Sequence, residues 1–390
     1  MERQGSGLRR FRSVVPSTVA AVSFPVGAGV PLDELVADPH PALARLRAAE
    51  PVSWLPVLNG WLVTRHDLAM AVMRDAAAFT VDDPRFSTAR VVGPSMLSLD
   101  GAAHARHRDP FVPPFRPAPV RDRLTANVTK AVARLLDGLA PAGRAELRAD
   151  FAGPLAVEVM ADALGLAGVD VTTVRSWYAA LVESVSEVTA GRSPTQEGAE
   201  AVRALRESVT RPVAGLTTDE VVANTAVLMF GGIDTTESMI ANLVLHLLER
   251  PAVLATVRAD RSLLPDAIEE SLRLEPAASV VDRYATRDIS VGSAYISKGD
   301  LVRVSIAGAN RDPAVFADPD TFDLRRANAK ANLAFALGPH FCLGARLARV
   351  EAEIAVNGLL DRFPALQLER PTSPEGLVFR KPPKLFVHWT

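Results

Sequence analysis

FALGPHFCLGARLA, residues 335–348, holds the only cysteine of the chain, Cys342. Gly338 permits a tight turn, His340 and Cys342 stand two apart, and Gly344 follows near the start of a helical stretch expected over Leu343–Leu360. A sulfur at that position meets unpaired N–H groups and the positive end of a helix, which favour the thiolate and so a strong metal ligand or a nucleophile. The competing reading is an inert, buried thiol, and the flanking glycines weigh against it. One cysteine also excludes a disulfide framework, a multi-cysteine zinc site and a four-cysteine iron–sulfur cluster.

Working outward, the longest helical pattern runs from Asp219 to Arg250, opened by the capping box Thr217-x-x-Glu220 and stopped by Pro251. About thirty residues at 1.5 Å each give a rod of roughly 45 Å, a whole domain diameter. Its middle, LMFGGIDTTESMI (228–240), is unusual for a helix. Gly231 and Gly232 each cost about 1 kcal/mol against alanine, and Asp234, Thr235 and Thr236 put polar groups into an apolar run. Either a neighbouring helix packs in the groove, or a flat ligand lies on the glycines with hydroxyl and carboxylate facing a reaction centre. PDAIEESLRLEP (265–276) adds Glu270-x-x-Arg273, an i,i+3 ion pair, and the cations His104, Arg108 and Arg283 stand in short polar stretches suited to the carboxylates of a buried ligand.

The rest of the chain sets the frame. Its 390 residues are 48% hydrophobic and 23% charged, so disorder is excluded, and a formal charge of −2 offers no bulk attraction to nucleic acid or an anionic membrane. No linker, repeat or apolar run of about twenty residues interrupts it, which predicts a soluble, cytoplasmic protein with one domain over 31–390. Residues 1–30, with Arg3, Arg9, Arg10 and Arg12 ahead of a small apolar stretch broken by Pro16 and Pro25, read as a poorly ordered extension. Helical spacing over Val120–Leu139, Phe151–Leu166 and Leu343–Phe363 dominates. Small strands are expected at Val52–Leu58 and Trp61–Thr64 around Asn59-Gly60, and at Ile289–Ile296 with Leu301–Ile306, so the fold class is mainly α with small β-sheets.

Taken together, these segments resemble the cytochrome P450 family over nearly the whole chain from about residue 31. The cysteine segment is similar to the family's F-G-x-G-x-H-x-C-x-G loop through Phe335, Gly338, His340, Cys342 and Gly344, with Ala336 in place of a glycine. GGIDTT (231–236) resembles the A/G-G-x-D/E-T-T of its oxygen-activating helix, Glu270 and Arg273 its E-x-x-R, and His104 and Arg108 its H-x-x-x-R. The resemblance implies haem b with Cys342 as the proximal iron ligand. It implies Gly231 and Phe335 against the macrocycle, and His104, Arg108, Arg283 and His340 at the propionates. Asp234 and Thr235 take the acid and alcohol roles in proton delivery. Glu270 and Arg273 form a structural ion network whose third member is Arg325 or Arg326.

Position in that fold implies a pocket of Met229, Phe230, Ala278, Val280 and Val281, with the Phe79–Leu97 and Leu377–Phe379 loops, suited to a hydrophobic small molecule of secondary metabolism. The activity implied is insertion of one oxygen atom from O2, by hydroxylation or epoxidation. Electrons from NAD(P)H arrive through a ferredoxin and ferredoxin reductase. Arg346 and Arg349 either dock that acidic partner or are simply solvated. Desaturation, ring formation or peroxide-driven oxidation on the same fold, a non-catalytic haem sensor and, remotely, a cysteine hydrolase are the rival readings. The stretch between Trp177 and Asp219 is short for the family, which predicts a shortened or missing helix and a more open roof over the substrate.

Overall fold

Alternation along Leu301–Ser305, where Val302 and Val304 are buried and Leu301 and Arg303 only partly so, places one strand at the centre of a five-stranded sheet. In chain order the strands are β1 (Val52–Leu55), β2 (Gly60–Val63), β3 (Phe79–Thr80), β4 (Val280–Ala285) and β5 (Leu301–Ser305), arranged β1-β2-β5-β4-β3. β2 and β5 are parallel with Trp61 opposite Val302, and the other pairs are antiparallel. The expected Asn59-Gly60 hairpin is present in modified form. A 3₁₀ turn over Pro56–Leu58 and a left-handed Asn59 (φ 45°) make the connection, and Gly60 begins β2 opposite Leu55. Ile289–Val291 and Ala294–Ile296 form a separate hairpin, while Leu301–Ser305 joins the main sheet.

The computed structural model describes residues 24–166, 168–209 and 212–389. The arginine-rich start, and the reading of it as a frayed extension, lie outside the described residues. Residues 24–30, grouped with that extension, belong to the body. Phe24 meets Trp61 edge-on at 5.1 Å, the turn Pro25–Ala28 is held by the Glu50 carboxylate accepting from the Val26 and Gly27 N–H groups, and Val30 is buried. Among the described residues no single helix is long and apolar enough to cross a membrane.

The helices that frame the site are α1 (His40–Ala49), α2 (Gly101–Arg108), α3 (Thr125–Leu139), α4 (Gly153–Ala163), α5 (Val171–Thr189), α6 (Gln196–Ser208), α7 (Thr218–Gly232), α8 (Asp234–Leu248), α9 (Leu264–Leu274) and α10 (Ala345–Arg362). A π turn precedes α3 and another precedes α4. One large apolar cluster joins α3, α4, α7, α8, α9 and α10. Gly358 marks the closest approach of α3 and α10, since a β-carbon there would stand 2.6 Å from Val132 and 3.1 Å from Leu136.

α7 and α8 form the rod anticipated over Asp219–Arg250, opened by the expected capping box but interrupted at Ile233. Beside that break the Thr235 hydroxyl bonds back to the Gly231 carbonyl, competing for the helical acceptor. No helix is missing from the roof. α5 and α6 form a helical pair across the stretch between Trp177 and Asp219, because Asp170 caps α5, Thr195 caps α6, and Gly198 lets α6 close onto Ser184.

Candidate active site

The cysteine loop is built by backbone demands. Gly338 is left-handed (φ 73°), and a β-carbon there would lie 2.5 Å from the Met73 carbonyl, so only glycine fits. Ala336, where the family pattern has glycine, is also left-handed (φ 56°), so this chain carries an alanine in a conformation that glycine adopts without strain. The loop closes on itself as the Cys342 N–H donates to the Phe335 carbonyl at 2.9 Å. Arg349 stacks 4.4 Å above the Phe335 ring, and both Phe335 and Cys342 line an internal cavity.

Burial pushes the Cys342 thiol up, against the lowering effects of the Gly344 and Ala345 N–H groups and of Arg108 and Arg349. The helix-end stabilisation expected from the sequence is therefore present but outweighed by desolvation in the protein alone. A cation at the sulfur reverses that balance.

The proposed propionate groups gather on one side. His104 and His340 lie with ring centroids 4.5 Å apart, and His340 Nε2 is 2.7 Å from Asp100. Despite burial, hydrogen bonds from His340, Thr80 and the Val81 N–H hold the Asp100 carboxyl down at about 2. Burial, His340 and Arg108 depress His104 to about 4, and its buried Nε2 has no partner. Arg108 lines the cavity and donates to the Phe341 carbonyl at 2.7 Å. Arg283, buried two residues beyond cavity-lining Val281 on β4, donates to the Asp282 carbonyl at 2.8 Å.

Gly231 lines the same cavity and faces open space, with no atom beyond its own helix backbone within 4 Å of where a β-carbon would stand. Thr235 and Thr236 line this wall. Asp234 is turned away and ion-paired with Lys381, which also reaches Glu237 at 3.1 Å. A single soft sulfur ligand, a glycine facing open space, apolar walls and an unpartnered imidazole nitrogen beside His340 and Arg108 fit haem b, a flat apolar ring with an iron centre and two carboxylates.

Ala278 and Val281 line the cavity as expected; Met229, Phe230 and Val280 do not. The lining residues of the rod are Val227, Gly231, Thr235 and Met239, with Leu228, Gly232 and Thr236, a four-residue spacing that turns Met229 and Phe230 toward the helical core. Strand alternation likewise turns Val280 away from the face of Val281. Of the two expected loops, the first contributes Met96 and Leu97, while Val378 and Phe379 are exposed and outside the cavity. Phe115 and Met160 complete the distal wall without any motif to announce them, though stepping four residues either way from Gly231 and Thr235 finds Val227 and Met239.

Behind the site, Glu270 and Arg273 are fully buried and joined by paired 2.8 Å bonds, with Arg326 as the third member at 3.0 Å. Arg325 has no such role; its N–H donates to Asp323. Arg349 is tied to Glu269, so of the two candidate docking cations only Arg346 is exposed. Glu351, buried on α10 at the cavity wall with one oxygen unpartnered, has its carboxyl pushed well up by burial; the sequence reading missed it.

A family model described as Cytochrome P450 matches residues 179–389. The chain is 35% identical to the nocardicin C N-oxygenase of Nocardia uniformis subsp. tsuyamanensis, over 94% of this chain and 98% of that one. It is also 35% identical to the monooxygenase PikC of Streptomyces venezuelae, over 90% of each. Among solved structures, P450BioI bound to an acylated acyl carrier protein superposes with a TM-score of 0.82 at 28% identity, covering 90% of this chain and 99% of that one. The hydroxylase HmtN of himastatin biosynthesis gives 0.80 at 29% identity, covering 91% and 98%.

Proposed function

The chain belongs to the cytochrome P450 family, a monooxygenase fold that carries haem and draws electrons from redox partners, and from that premise we propose how its own residues divide the work. Cys342 would hold the haem iron through its sulfur, and Gly231 and Phe335 would border the macrocycle. His104, Arg108, Arg283 and His340 hold its propionates. The observation that carries this reading is one cavity lined by both Cys342 and Gly231, with the unpartnered His104 nitrogen packed against cavity-lining His340. When bound, haem supplies the reduction of dioxygen and the oxidation of a substrate C–H or C=C bond.

Thr235 holds a proton at Oγ1, which rests on the Gly231 carbonyl and turns toward the cavity it lines. Asp234, one residue away, passes protons from the solvent side by leaving its pair with Lys381. The apolar wall of Met96, Phe115, Met160, Val227, Met239 and Val281 excludes water and takes a hydrophobic secondary-metabolite scaffold, as the relatives' names suggest. Residues 24–390 act as one haem domain in the cytoplasm, supplied from NAD(P)H through ferredoxin reductase and ferredoxin.

The test is reconstitution with those three components under labelled dioxygen, using a substrate found by its low-spin to high-spin shift of the Soret band. One labelled oxygen atom in the product supports hydroxylation or epoxidation. An unlabelled, dehydrogenated product replaces it with desaturation.

A further inference from the structure

Asn224 is the polar residue at the solvent-side end of the cavity-facing stripe of α7, one turn before Val227 and Leu228, and it is fully buried. Its Oδ1 accepts from the Met96 N–H at 2.8 Å, and its Nδ2 faces the Glu220 carbonyl at 2.6 Å and His107 Nδ1 at 2.9 Å. Met96 and Leu97 line the cavity, and Leu97 is 39% exposed, so this short segment separates the cavity from solvent.

The Met96 N–H only donates, so the amide oxygen must face it and the amide NH2 must face the other two. His107 Nδ1 is then an acceptor, which fixes a neutral ring with its hydrogen on Nε2, 3.3 Å from the Glu220 carboxylate. The Arg106 guanidinium, 2.9 Å from the same nitrogen, directs its hydrogens to Glu220, its ion-pair partner. Turning the amide over sets donor against donor at Met96 and acceptor against acceptor at Glu220, so it loses two contacts to relieve one.

We propose that Asn224 is a positioning residue for substrate binding: through His107 and Glu220 it holds the Met96–Leu97 wall against the rod and so shapes the mouth of the cavity. The inference rests on reading that cavity as the substrate chamber. It concerns the Met96–Leu97 wall, and Asn224, His107 and Glu220 are not among the residues assigned to haem.

The experiment compares wild type, Asn224→Leu and Asn224→Asp as haem-loaded proteins, by hydrogen–deuterium exchange of the peptide carrying Met96 and by titration with 4-phenylimidazole, a small azole that perturbs the Soret band. Asn224→Leu removes the acceptor and is expected to speed exchange at Met96 and to weaken azole binding, each by about tenfold, the scale of one buried hydrogen bond. Asn224→Asp keeps an acceptor for Met96 but sets an oxygen against the Glu220 carbonyl, and is expected to restore part of each. Unchanged exchange in Asn224→Leu overturns the positioning role. Faster exchange with unchanged azole affinity overturns the link to the binding chamber, while an intact thiolate spectrum in the same samples shows that the family reading stands.

Discussion

Ala336 is the one residue of the cysteine loop that departs from the family pattern, and its backbone explains what glycine does there. A left-handed alanine costs about 1 kcal/mol that glycine does not. Ala336→Gly is therefore expected to raise stability by up to roughly that amount, less the entropy glycine gains on unfolding, with the visible spectrum unchanged. Thermal unfolding of the haem-loaded protein measures it. The same loop shows why the chemistry was legible at this scale: glycines, His340 and Cys342 are constrained by turn geometry and ligand chemistry, both written in residue identity. Arg325 and Arg326 were not separable, because adjacent arginines differ only in which way the loop after α9 turns them. The effect of burial on Cys342 was also out of reach, since it depends on everything packed around the loop.

At the scale of elements, the rod α7–α8 was legible as a helix, while Met229 and Phe230, expected on the pocket wall, face the core. Its motif fixed Gly231 and Thr235 toward the cavity, and the helical period then assigned Val227 and Met239 to the same stripe and Met229 to the core. Val227→Phe is expected to fill the cavity and weaken 4-phenylimidazole binding by tenfold or more, whereas Met229→Leu leaves binding within about twofold and acts only on core packing. Equal effects of the two would reverse the assigned phase. The α5–α6 pair shows the opposite limit. A segment that looked short still makes two helices, because its caps, Asp170 and Thr195, are single residues easily passed over in a loop-like composition.

Two expectations belong to the whole molecule. His246 is fully buried against Ser271, and desolvation holds it down at about 3, against an ordinary value of 6.5. The unfolded chain takes a proton there below pH 6.5 and the native chain does not, so native stability falls as the pH drops from that value toward 3. At pH 5 the loss is about 2 kcal/mol, and His246→Gln is expected to flatten that part of the stability profile in denaturant titrations at several pH values. On the surface, Arg346→Glu is expected to slow reduction by an acidic ferredoxin several-fold without altering ligand-induced Soret shifts. Arg349→Glu, by contrast, is expected to destabilise the fold, because it places a carboxylate beside Glu269. Stopped-flow reduction and thermal unfolding separate the two.

All of this converges on Cys342, the only thiol in the chain. The most direct measurement is the carbon monoxide difference spectrum of the reduced protein, recorded for wild type and for Cys342→Ser. The account predicts the red-shifted thiolate Soret band in wild type and its complete loss in the variant. A wild type that binds no haem, or a variant that keeps the red-shifted band, would contradict it.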